Sequence, residues 1–171
     1  MASIYVFNAT PIPMSLTLNS VPISGTLSAI QSSTGYAAST VSVLRNPGGS
    51  SGTNQFGSQN TLTVVFNPQA TNPGPVQIFS IPVDPNTYPI VYDLQLYIFY
   101  GQAALISPSG SPAESSAGVG GTPTMIEGEE ATGSDAQNAI ASVRGGGDSG
   151  DSGDSGGSGG SGGYGSGSDT K

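Results

Sequence analysis

Twelve of the chain's 13 prolines fall before residue 113. Proline has no amide hydrogen to donate and clashes with the preceding helical turn, so this density opposes a helical core. The intervals between prolines carry a period of two. Met14, Leu16 and Leu18 alternate with Ser15, Thr17 and Asn19, the signature of a strand with one buried face. Similar patterns predict strands over residues 3–8, 14–19, 25–31, 38–44, 61–67, 76–83, 92–100 and 102–106. Over 92–100 both faces are largely apolar, which suits a central or interface strand. Short strands separated by turn residues predict an all-β fold, an antiparallel β-sandwich of Ig-like or jelly-roll topology.

Composition divides the chain near residue 106. Residues 1–106 hold most of the large apolar side chains and only three charged ones, Arg45, Asp84 and Asp93. About one quarter of an average soluble domain is charged, so this segment lacks the usual solubilising surface. Residues 107–171 carry nine acids against Arg144 and Lys171, and account for most of the formal net charge of −8. The expected organisation is therefore one β-sandwich domain over 1–106 and a flexible, acidic, low-complexity tail over 107–171. Asp-Ser-Gly repeats over 148–156 and the Gly-Ser run after them behave as a random coil. As a coil, the 65 residues from 107 to 171 would span on the order of 45 Å end to end.

One part of the tail has helical character. Ser134 and Gln137 have capping-box spacing, and Ala136, Ala139, Ile140 and Val143 recur at i, i+3, i+4 and i+7. A short amphipathic helix is expected over 134–144, with Ser134 as N-cap and Arg144 complementing the dipole at its end.

The residue inventory narrows the chemistry. The chain has no His and no Cys, and no Lys lies before residue 171. Ser–His–Asp and Cys–His catalysis, thiolate chemistry and a histidine zinc site therefore have no residues to use. A carboxylate pair would have to be Asp84 and Asp93. Asp84 lies in the turn sequence Val83-Asp84-Pro85-Asn86, where Asp bonds its own backbone, and Asp93 opens a strand. No enzyme, cofactor or metal is expected. With Arg45 as the sole cation of the domain, phosphate neutralisation is negligible, which argues against nucleic acid. No apolar run approaches the length of a membrane span. The N-terminal residues read as a strand, not a signal peptide, so the cytoplasm is the default compartment, with the cell surface or exterior reached by another route. Asn8-Ala9-Thr10 forms a sequon, and Tyr88-Pro89, in a proline-dense turn, is the candidate cis bond.

Two readings follow. Low charge promotes association, and natural sheets normally guard their edges with Lys and inward charges. The first reading is a structural protein that assembles with itself into an oligomer, filament or shell, with Tyr97, Phe99 and Tyr100 as interface candidates. The acidic tail then acts as a solubilising brush or tether. The alternative is a lectin-like carbohydrate-binding module. Its long loop over 45–60 would supply Arg45, Asn54, Gln55, Phe56 and Asn60 as contacts, joined by Tyr36, Tyr88 and Tyr92. An adaptor role for the tail helix, through Ala136, Ala139, Ile140 and Val143, is the third class.

Overall fold

The computed structural model describes residues 2–30, 39–46, 52, 54–107 and 123–145. The fold is mostly β. Its strands are β1 (Ser3–Asn8), β2 (Met14–Leu18), β3 (Val21–Leu27), β4 (Thr40–Leu44), β5 (Gln59–Phe66), β6 (Val76–Pro82), β7 (Leu94–Ile98), β8 (Gln102–Ile106) and β9 (Thr124–Ala131). One helix, α1 (Gly133–Arg144), follows. The strands form a nine-stranded sheet in the order β3-β2-β5-β6-β9-β8-β7-β1-β4, curled into a half-barrel.

Three features differ from the sequence reading. The first is β9. Its first half pairs with β8, Ile126 opposite Ala103, and its second half with β6, Gly128 opposite Phe79. The segment assigned to an acidic tail is thus the strand that joins the two halves of the sheet, so the folded unit extends past residue 106. The second is the pairing of β1 with β7, which is parallel, Val6 opposite Leu96, so the sheet is mixed, not purely antiparallel. The third is β3, which begins at Val21 because Asn19 and Ser20 adopt φ of 51° and 70°. Two such residues make a tight hairpin turn whose twist matches the strands it joins.

Alternation determines what lies inside. Ile4 and Val6 of β1, Leu16 and Leu18 of β2, Leu62 and Val64 of β5, and Leu94, Leu96 and Ile98 of β7 share one buried cluster with Phe56, Phe66 and Phe79. Burial of such side chains contributes on the order of 1.5–3 kcal/mol each.

Outside the sheet, α1 packs against β2, β5 and β6. Val65 and Val76, opposite one another in the β5–β6 register, are fully buried yet lie outside the main cluster. They face the helix side. The residues of α1 that lose solvent include Ala136, Ala139, Ile140 and Val143, the stripe expected from spacing, while Ser134, Asp135 and Gln137 stay exposed. Gly133, with φ of 59°, lets the chain turn from β9 into the helix. The N-cap is Thr132, not Ser134, and it makes no side-chain capping bond. At the other end Arg144 Nε donates to Pro68 O at 2.8 Å, and its Nη2 donates to Ala70 O. Gly74–Pro75 is the cis peptide, and Tyr88–Pro89 is trans.

Candidate functional site

The two halves of the sheet differ on their outer faces. The half covered by α1 is closed. On the other half the outward residues of β1, β7, β8, β9 and β4 align in cross-strand rows. One row runs Thr40–Phe7–Tyr97–Ala104–Met125, and the next runs Ser42–Tyr5–Gln95–Ile106. Phe7 and Tyr97 stack with ring centroids 4.7 Å apart and planes within 11°. Tyr97 Oη donates to Gln95 Oε1 at 3.1 Å. Tyr5 is 37% and Met125 53% exposed. Two carboxylates stand at the margins of these rows: Glu127, which accepts from Gln102 Nε2 at 2.7 Å, and Asp93, which accepts from Ser3 N–H at 2.7 Å. The result is an apolar, aromatic face on which, among the described residues, Tyr5 and Met125 are exposed, Phe7 and Tyr97 half-buried and Ala104 buried.

Of the three interface candidates, Tyr97 belongs to this face. Phe99 lies just beyond β7, where its N–H donates to Gln102 O at 2.8 Å across the β7–β8 turn, and it is partly exposed. Tyr100 departs from the group. It is exposed, but its ring leans on the core residue Phe66, centroids 5.5 Å apart. Reading by alternation alone missed Tyr5, Phe7 and Met125. Tyr5 and Phe7 do alternate with Ile4 and Val6, so the signal was present in the sequence; Met125 was hidden in a segment assigned to the tail.

The loop candidates separate into structural and accessible residues. Phe56 is 1% exposed and belongs to the core. Asn60 is buried as well. Its Oδ1 accepts from Gly57 N–H at 2.7 Å, and its Nδ2 donates to Gly57 O and Ile81 O, both at 3.0 Å. Neither can present itself to a ligand in this conformation. Arg45 is a clamp: its guanidinium donates to Pro89 O at 2.8 Å, to Tyr92 O at 2.6 Å and to Tyr88 O. Burial pushes its pKa below the ordinary arginine value, and the nearby Asp93 carboxylate pulls it back up. Asp93 in turn accepts from Ser3 N–H at 2.7 Å. Asn54 is exposed, and Gln55 accepts from Asn46 Nδ2 at 2.9 Å. Tyr36 and parts of the 45–60 loop lie outside the described residues.

A groove of about 760 Å³ opens beside this clamp, lined by Ala2, Arg45, Asn46, Gln55, Ile90, Val91 and Asp93. Tyr88 and Tyr92 are half-buried, and Tyr88 Oη is hydrogen-bonded to Thr124 Oγ1. Asp84 holds its own turn: Oδ1 accepts from Asn86 N–H at 3.2 Å and Oδ2 from Thr87 Oγ1 at 3.2 Å. Among the described residues no three His, Cys, Asp or Glu side chains converge on a point where a metal could sit, and no helix is long and apolar enough to cross a membrane.

The chain was compared with protein-family models, with curated proteins and with solved structures, and none of them matches. The functional reading therefore rests on the surface itself.

Proposed function

We propose that this is a non-enzymatic structural protein that assembles with itself through its nearly uncharged β domain. The observation that carries the reading is the outer face of β1, β7, β8 and β9. It aligns the exposed Tyr5 and Met125 with the half-buried Phe7 and Tyr97 in cross-strand rows, while the corresponding face of the other half is covered by α1. Large exposed apolar patches on soluble domains mark interaction sites. Aromatic residues and Met are also enriched in protein interfaces, and charged ones are depleted from their cores. On this reading the two halves of the sheet act as the layers of a sandwich joined through β9, an Ig-like or jelly-roll arrangement with one outer layer left for a neighbour. The acidic Gly/Ser/Asp-rich residues that follow the helix serve as the brush that keeps assemblies apart.

The test is particle size. Light scattering and negative-stain microscopy of the full chain should give concentration-dependent, regular particles. Met125→Lys places a cation at the β9 end of the row without touching the core and should shrink them at least several-fold. A full chain that stays monomeric at all concentrations would overturn the proposal.

The carbohydrate alternative draws its support from the groove, where the Asn46 and Gln55 amides and the Asp93 carboxylate lie beside Ile90 and Val91. Planar polar groups next to an apolar wall suit a sugar ring. A small, defined species that one glycan retains on an array would favour it.

A further inference from the structure

Basic side chains are almost absent from this chain, and the three it has stand in very different places: Arg45, Arg144 and Lys171. Arg45 is 5% exposed, and its guanidinium is held by three carbonyl oxygens of the 88–92 turn. The peptide bond that follows it is pinned on both sides. Arg45 N–H donates to Ala2 O at 3.0 Å, and Asn46 N–H donates to Phe56 O at 2.8 Å. Lys171 stands at the far end of the acidic stretch, outside the described residues. Arg144 is exposed, and it is the last residue of α1.

The bond after Arg144 lies between the last described element and the acidic Gly/Ser/Asp-rich residues that follow it. Gly145 caps the helix, and its N–H donates to Ala141 O, the final link of the helical ladder. Helix ends fray, and no side chain of α1 is fully buried, so the core does not lock the last turn. What holds it is the Arg144 guanidinium, on Pro68 O and Ala70 O. Gly145, Gly146 and Gly147 come next in the sequence, with no side chains to obstruct the far side of a protease cleft. Exposed stretches of small residues near chain ends are where proteolytic nicking concentrates.

We infer that Arg144–Gly145 is a processing site for an endopeptidase whose primary pocket carries a carboxylate, as in the trypsin-like class. Water adds across the peptide bond, leaving a carboxylate on Arg144 and an amino group on Gly145. Among the described residues Arg144 is the one exposed basic side chain, so such a protease meets one bond and not several. The cut separates residues 1–144, which keep all nine strands and α1, from residues 145–171, which carry four aspartates and Lys171. Its consequence rests on the self-assembly reading above, in which those residues are the brush. Their removal takes away the charge that keeps copies apart and leaves the outer face of β1, β7, β8 and β9 as it was.

The test is limited digestion of the full, folded chain with trypsin, read by intact-mass spectrometry and circular dichroism. The expected first and persistent product is residues 1–144, with the dichroism and melting temperature of the parent. Arg144→Gln should abolish it. Adding Asn138→Arg to that variant puts an exposed basic residue inside α1 instead of at its end. Cleavage at position 138 should be at least several-fold slower than at Arg144, because more of the helix has to open first. A first cut after Arg45, a parent that resists digestion, or equal cleavage at position 138 would overturn the proposal. Light scattering on the full and trimmed chains separates it from the reading it rests on. Larger particles after trimming support both. A clean cut with unchanged particles, or with a product that is monomeric like its parent, keeps the processing site and removes the brush or the assembly.

Discussion

Gly128 lies directly opposite Phe79 across the β6–β9 ladder, and a methyl group built on Gly128 would come within 2.6 Å of Phe79 Cε1. The phenyl ring fills the space that a side chain on β9 would occupy, so this glycine is retained for packing, not for backbone freedom. Gly128→Ala should destabilise the fold by about 1–3 kcal/mol, the usual cost of overpacking, and Gly128→Val by more. Chemical denaturation measures it. Combining Gly128→Ala with Phe79→Leu should recover part of the loss, because contacting sites are not additive.

Since β9 stands between β6 and β8, shortening the chain has two distinct outcomes. Residues 1–145 keep every described element and should melt close to the full chain. Residues 1–112 lack β9 and α1, leaving β6 and β8 with open edges and Val65 and Val76 uncovered. That product should lose its cooperative thermal transition and aggregate, as read by circular dichroism and light scattering.

Arg45 holds the 88–92 turn by three carbonyl oxygens. Arg45→Met keeps much of the packing but leaves these acceptors without a cationic donor, at a cost of at least about 2 kcal/mol. Arg45→Lys should restore only a part, since an ammonium group lacks the planar fork. Limited proteolysis should show new cleavage around residues 84–92 in both variants.

The sequon asparagine is not available for modification. Asn8 is fully buried; its Nδ2 donates to Ile12 O at 2.8 Å and Ser28 O at 2.9 Å, and its Oδ1 accepts from Thr10 N–H at 2.9 Å. Expression through a glycosylating secretory route should leave the folded chain without a glycan at Asn8, as intact-mass spectrometry will read. Asn8→Ala strands several buried groups and should cost about 2–3 kcal/mol.

Much of the β character was legible one strand at a time. The short apolar runs over 3–8 and 102–106, bounded by polar and turn residues, match β1 and β8 to the residue, because a continuous apolar run of strand length fits a strand packed on both faces. The helical stripe of α1 was legible for the same reason, with its own period. β9 was not. Ile126 is its sole buried apolar side chain, and Glu127, Glu129 and Glu130 give it the composition of a solvated tail. What holds it is the pair of strands on either side, a long-range relation that composition cannot carry. Among the loop candidates, Phe56 and Asn60 went to the interior because buried carbonyls and an unfilled core needed them, not because their local sequence differed from that of Asn54.

Local periodicity and an almost uncharged inventory, then, were decided by the sequence alone: short strands, no helical core, no histidine or thiol chemistry. Only the tertiary structure decided that β1 lies parallel to β7, that β9 joins the two halves of the sheet, and that α1 packs over the outer face of one of them. A strand's pattern states which of its faces is apolar, but whether that face is covered depends on elements far away in the chain.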